Sequence, residues 1–326
     1  MEDAQRMSRR TAVLGYGACA LAGCLWGTGF YFGRLALNEM SVEHMVLWRF
    51  LFACLGMAPV LLWHRLRSSQ SLRLTGGEVK VLLVSAALGV PVQFLMQFHG
   101  LALTTVSHAS LMVGAMPVLL AAAAAMFAGE RLDWLGWVAL CGSTLGAALI
   151  VLGGRHGAAV RGEPSLAGDL LVVASLVTAL AWILLSKELM KTHSPLVVTA
   201  YTILSGTLML LVVVMGPWVV SPLTGRHVGG LPFEHVSATA WVALAVSGLA
   251  CTATTTLLWN WGLHHVPASR AGVFLNIEPA LGSLLGVELL GEHLGPYAWL
   301  GGGLILAAAV ALTTRGHETE PAVILE

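Results

Sequence analysis

The sequence predicts an all-α integral membrane protein: ten transmembrane helices laid out as two inverted five-helix repeats. Three observations carry this. Hydrophobic residues make up 57% of the 326 positions and charged residues 10%, with a mean hydropathy of +0.80, too little polar surface for a chain dissolved in water. Ten apolar stretches approach the roughly 20 residues that a spanning helix needs. The chain also matches itself without a gap. Gly100-Leu101 through Gly129-Glu130-Arg131-Leu132 lies over Gly262-Leu263 through Gly291-Glu292-His293-Leu294, always 162 positions apart. Ser107 falls on Ser269, Ala109 on Ala271, Pro117 on Pro279, Leu119 on Leu281 and Trp137 on Trp299, the internal repetition of a two-half membrane fold.

The spans follow in order. The first, 11–37, comes after Arg6, Arg9 and Arg10 and is longer than the apolar core of a signal peptide. The next four are 45–63, 79–99, 107–128 and 134–152; the second five are 168–185, 195–215, 238–261, 270–290 and 297–313. The chain thus divides into an N-terminal segment 1–10, a first repeat 11–152, a linker 153–167, a second repeat 168–314 and a tail 315–326. The linker, with Arg155, His156, Arg161, Glu163 and Pro164, reads as a flexible connection, and 216–237, rich in Pro and Gly, as a longer loop.

Five spans per half is an odd number, so the second half crosses the bilayer upside down and its orienting charges move to the other set of loops. Arg6, Arg9, Arg10, Arg65, Arg67, Arg73, Lys80, Arg131, Lys187, Lys191, Arg270 and Arg315 fall on one side; Arg155, Arg161 and Arg226 fall on the other. The positive-inside rule then places both termini in the cytoplasm, in a multi-pass protein of the plasma (inner) membrane.

Several local words recur in order: Leu25-Trp26-Gly27-Thr28-Gly29-Phe30, Trp48-Arg49-Phe50, the stretch from Ala109 to Pro117, and Glu278-Pro279 with Gly291-Glu292. With the inverted repeat they make the chain resemble the EamA family of the drug/metabolite transporter superfamily over nearly its whole length. The resemblance implies a basket of ten helices around a central substrate cavity. It also implies alternating access and export of amino acids or similar small metabolites, commonly coupled to protons.

The residues supply candidates of their own. Helical spacing puts Gly89, Gln93 and Gln97 on one face of the third span, and the repeat carries that face onto Cys251, Thr255 and Trp259. An uncompensated amide in hydrocarbon costs several kcal/mol, so the two glutamines face substrate and water or hydrogen-bond to neighbouring helices. Glu278, beside Pro279 and near mid-span, is a carboxylate at a depth where an acid is by default a proton-relay candidate; pairing with Arg49 or Arg34 is the structural alternative. Asn276 lies two residues earlier. Trp26, Trp182 and Trp259 are candidates for a cavity wall on which an ammonium group could rest, whereas Trp48, Trp63, Trp134, Trp137, Trp241 and Trp299 read as interface anchors or packing. Arg49 either binds a substrate carboxylate or snorkels to the headgroups.

Gly129-Glu130 and Gly291-Glu292 read as helix ends and caps. The pairs Gly23/Gly27, Gly29/Gly33, Gly142/Gly146 and Gly282/Gly286 have the spacing that lets helices approach closely. The five cysteines lie unpaired in apolar stretches and read as packing residues. His99, His108, His264 and His265 lack metal-ligand spacing, though His99 or His108 could titrate and gate transport. No cofactor and no metal is expected, and a net charge of zero argues against a nucleic-acid partner. A small-molecule metabolite and membrane lipid are the expected partners, with a homo-oligomer left open. The reading is a carrier and not an enzyme, the competing readings being an intramembrane enzyme on a lipid-linked substrate and a membrane assembly protein without flux.

Overall fold

Lipid offers no partner to a bare peptide group, so an apolar chain satisfies its backbone within helices, and every regular element described here is helical. The computed structural model describes residues 2–67, 74–127, 134–153, 164–224, 236–265 and 272–315. α1 runs Glu2–Leu37 and α2 Val42–Arg67. α3 (Gly76–Ala87) passes through a π-helical turn, Leu88–Val92, into α4 (Gln93–Leu103). α5 (Val106–Val113) and α6 (Met116–Phe127) meet at a short break, and α7 is Trp134–Gly153. α8 (Leu166–Leu189) and α9 (Pro195–Thr224) follow. α10 (Ala238–Gly248) enters a second π-helical turn, Leu249–Thr254, and continues as α11 (Thr255–His265). A 3₁₀ turn, Gly272–Asn276, leads into α12 (Ile277–Leu290), and α13 is Pro296–Arg315.

Among the described residues six helices are long and apolar enough to cross a bilayer, within α1, α2, α3 to α4, α8, α9 and α10 to α11, and shorter apolar helices lie at Val106–Leu119, Trp134–Ile150 and Pro296–Ala308. The fourth and ninth predicted spans are not single helices. They break at Gly114-Ala115 and at Asn276-Ile277, each just before a proline, Pro117 or Pro279. Pro279 therefore stands in the first turn of α12 and not inside a helix it would kink; there its missing N–H removes no intrahelical bond. Two boundaries also differ from the sequence reading. Helix begins by Glu2, inside the segment set apart as 1–10, and α9 continues to Thr224, through the first part of the predicted loop 216–237. Residues 154–163, 225–235 and 316–326, with Arg155, Arg161 and Arg226, lie outside the described residues, as do Glu130, Arg131 and Arg270.

The 162-residue register reappears in the elements themselves. Gly76–Leu103 and Ala238–His265 have matching ends and matching π turns, and Trp134–Gly153 matches Pro296–Arg315. Even the caps correspond: the hydroxyls of Thr75 and Ser237 accept the N–H groups of Glu78 and Ala240, the third residues of α3 and α10. The two π turns have different chemical origins. In the first, Pro91 lacks the N–H an α-helix needs. In the second, the hydroxyls of Thr252 and Thr255 donate to carbonyls five residues back, Ser247 at 3.0 Å and Ala250 at 2.7 Å, satisfying the widened turn.

Helices pair across the two halves through glycines. A Cβ at Gly262 would meet Gly15 O and Cys19 N on α1, and one at Gly100 would meet Gly168 O and Val172 N on α8. At the other end of the same contacts Gly29 faces Cys251 and Trp182 covers Gly89. Since Cys251 is the repeat mate of Gly89, packing makes Gly29 the repeat counterpart of Trp182. Gly146 and Gly301 would each drive a Cβ into the other's carbonyl, and farther along Ala139 clusters with Ala308. Numbers rise on α7 as they fall on α13, so this pair is antiparallel. Gly23 and Gly27 admit the backbone of Phe274 and Glu278, and Gly282 and Gly286 admit Ser110 and Ser107. Close approach is the role of these glycine words.

At one end of the bundle, Ser237 donates its N–H and hydroxyl to Glu39, each at 2.6 Å, and these bonds hold the Glu39 carboxyl below the usual carboxylate range. At the opposite end Thr192 and His193 contact Glu78, each at 3.1 Å.

Candidate functional site

The centre is built around Arg49. It lies on the third turn of α2, 5% exposed, which rules out snorkelling to the headgroups in this conformation. Its guanidinium carbon sits 5.2 Å from the ring centroids of both Phe94 and Phe98, within cation–π range. Its Nε donates to Thr252 Oγ1 at 3.0 Å. Gly29 and Gly33 leave the room that Arg49 and Phe98 occupy. Thr28 Oγ1 lies 3.3 Å from Cys251 Sγ, so α1, α2, α4 and the second π turn converge here.

Glu278 is half-buried in the first turn of α12, where the helix dipole favours an anion. Arg49 and Glu278 are close enough to feel each other's charge, yet among the described ion pairs none joins them. A permanent cation and an acid thus share this region without neutralising each other by direct contact. Asn276, buried at the end of the 3₁₀ turn, precedes Glu278.

The other predicted residues separate into two groups. Gln93 and Gln97 are buried, and Gln93 Oε1 has no hydrogen-bond partner among the described residues. Trp182 lies over Gly89, its indole N–H likewise unpartnered. Trp26 and Trp259 form a tilted pair with centroids 5.4 Å apart. Thr255 differs: its hydroxyl is bonded to Ala250 O within the π turn. Gln93 and Gln97 keep α-helical spacing within α4, and the first π turn lies between Gly89 and Gln93.

Of the remaining tryptophans, Trp134, Trp137 and Trp299 are exposed on the outer surface, and Trp48 packs edge-on against Trp241 at 4.9 Å. Glu292 is a cap, but not of its own helix. Its carboxylate accepts the N–H groups of Val106 and Ser107, each at 2.8 Å, and the Ser107 hydroxyl at 2.7 Å. It therefore closes the N-terminus of α5 from the other half of the chain. Gly291, at φ 65°, provides the left-handed turn that redirects the chain there.

A model of the EamA-like transporter family matches residues 13–152 and again 166–314. The chain belongs to the EamA-like transporter family. A relative from Archaeoglobus fulgidus, named as an uncharacterized transporter, is 25% identical over 92% of this chain and 97% of its own length. The putative permease-like protein YdzE of Bacillus subtilis is 44% identical over 22% of this chain and 92% of its own. A probable terminal-alkyne amino-acid exporter from Streptantibioticus cattleyicolor is 26% identical over 64% of each chain. A solved crystal structure with 18% identity superposes at a TM-score of 0.58, covering 93% of this chain and 98% of that one, a likeness of fold. Membership makes this EamA-family chain a multi-pass membrane transporter.

Two groups central to the geometry escaped the sequence reading. Asp169 is completely buried although its position four residues past the Ser165 cap reads as an ordinary first-turn acid. Thr104 Oγ1 donates to Asp169 Oδ1, and Arg34 donates to the Thr104 carbonyl. No spacing rule joins residues on different helices, so the available signal was only an acid inside an apolar span.

Proposed function

We propose that this chain is a secondary active carrier that exports amino acids or related small metabolites across the plasma membrane by alternating access, with proton coupling through Glu278. In this reading residues 11–152 and 168–314 are two inverted five-helix halves, ten spans in all, with both termini cytoplasmic. The observation that carries the proposal is the matched pair of interrupted helices, Gly76–Leu103 and Ala238–His265, with the central Arg49 between one π turn and the helix that follows the other. Interrupted helices at corresponding places in two halves are where carriers of this build hold their solutes. The antiparallel pairing of α7 with α13 supports a twofold relation between the halves, as do the reciprocal contacts of α1 with α11 and of α4 with α8.

The substrate class follows from the chemistry available. Arg49 offers a planar fork for a carboxylate, the Trp26 and Trp259 indoles offer faces for an ammonium group, and Gln93 and Gln97 offer amides. An α-amino acid carries both charges. The name of the Streptantibioticus relative points to the same class. The test is counterflow of labelled amino acids in liposomes holding the purified protein. Exchange above that of protein-free vesicles supports the proposal; product formation without flux favours a membrane enzyme, and neither result favours an assembly protein.

Glu278→Gln removes the proton-carrying group while keeping its shape. The expected outcome is loss of pH-gradient-driven flux with exchange of labelled for unlabelled amino acid retained. Unchanged pH-gradient coupling in this variant removes Glu278 from the mechanism.

A further inference from the structure

At the end of the bundle where α4 turns into α5, a second titratable pair lies apart from the Arg49 centre. His108 on α5 is 3% exposed and Asp169 on α8 is 0% exposed. His108 Nδ1 and Asp169 Oδ2 are 3.7 Å apart, and neither has a hydrogen-bond partner among the described residues. We propose that His108 and Asp169 together form a proton-binding site, loaded and unloaded from the face carrying the 38–41 and 103–105 turns. The link between this site and transport rests on the carrier reading above; the binding of the proton does not.

The physical argument begins with the cost of the unfilled state. A buried carboxylate oxygen without a partner is left with its full desolvation penalty. The opposite carboxylate oxygen is fixed by Thr104, so the side chain is held with Oδ2 aimed at the imidazole. The gap exceeds an N–H···O bond by somewhat less than about 1 Å. A proton taken from water onto the Nδ1 lone pair creates an imidazolium N–H that donates to Oδ2, closing the gap to a charge-assisted bond. Release returns that proton to water and restores the neutral ring. No other bond is made or broken.

The surrounding charges leave this pair free to respond. Arg34, from α1, is directed to the Thr104 carbonyl, and its charge is opposed by Glu292, whose carboxylate is held by the α5 N-terminus. His99, on α4, is paired with Glu43 of α2 at 3.1 Å. α6 and α7 carry no charged residue. The two partners come from opposite halves of the chain, so adding a proton tightens a contact between the parts that would move in alternating access. At the corresponding position of the repeat, 162 residues on, the sequence has Arg270, a fixed charge in place of a titratable one.

The test uses full-length protein carrying isotope-labelled histidine in lipid nanodiscs, titrated with acid and base alone and followed by NMR. The His108 signal is identified by its loss in His108→Gln. The expected result is that His108 gains and loses a proton in the course of the titration, and that Asp169→Asn weakens its proton affinity about tenfold. A His108 signal that stays in one protonation state throughout, or that titrates alike in wild type and Asp169→Asn, overturns the proposal. Should Asp169→Asn fail to fold, Thr104→Val, which frees the carboxylate, shifts the same signal if the proposal holds and leaves it unmoved if it does not. Because this titration needs no substrate, it fails or succeeds independently of the amino-acid flux experiment. In liposomes that do show flux, His108→Gln is expected to flatten its pH profile.

Discussion

Replacing Arg49 by methionine is expected to lower amino-acid counterflow by roughly 10- to 150-fold, the range for losing a charged hydrogen-bonding partner worth about 1.5–3 kcal/mol. Arg49 is held by Thr252 and by two phenylalanine faces, which fix the guanidinium before any solute arrives. A carboxylate that meets it there loses little further orientational freedom, so most of the interaction appears as affinity. Lysine at the same place keeps the charge but not the planar fork or its stacking on the rings, and should recover only part of the loss. Measured as flux against substrate concentration, the defect should lie chiefly in half-saturation. A methionine variant that folds well and binds amino acids normally would remove Arg49 from the proposed substrate site.

Adjacent glycines on α13 should respond to alanine with opposite signs. A Cβ at Gly301 would lie 2.4 Å from the Gly146 carbonyl oxygen, a backbone atom that cannot turn aside. The two helices must then separate, also disturbing Ile150 and Ile305, and overpacking of this kind costs about 1–3 kcal/mol. At Gly303 nothing lies within 4 Å of the added carbon, and alanine there gains up to about 1 kcal/mol of helix propensity. Gly302, whose Cβ would meet the Leu111 side chain at 2.8 Å, should fall between, since a side-chain end can move. Thermal unfolding of the three variants in detergent measures the order. Equal midpoints for Gly301→Ala and Gly303→Ala would exclude the close crossing of α7 and α13.

Much of this was legible because lipid makes simple demands. Apolar stretches of sufficient length had to become helices, and a match at 162 residues had to recur as repeated elements, which is why Gly76–Leu103 and Ala238–His265 agree end for end. The glycine pairs announced close contacts through their spacing, and Arg49, the two glutamines and Glu278 stood out as polar groups in an apolar setting. The interruptions were harder to read. Pro91 marks the first π turn, but the second contains no proline and depends on threonine hydroxyls reaching back to carbonyls, an option that threonine has in any helix. Trp182 shared a residue type with Trp26, yet a large ring fits where the facing helix has Gly89, so size complementarity and not identity set its place.

The sequence by itself determined that this chain is helical, built for lipid, repeated at 162 residues and akin to the EamA transporters, because hydropathy, periodicity and repetition are properties of residues along one strand of chain. Only the tertiary structure decided which helices meet. It set Arg49 between Phe94 and Phe98, turned Thr255 inward, carried Glu292 across to cap α5, and brought Asp169 to face His108 from 61 positions away in sequence. Such contacts depend on side-chain volume and on the few glycines that let backbones touch, and those are settled between helices and not within them.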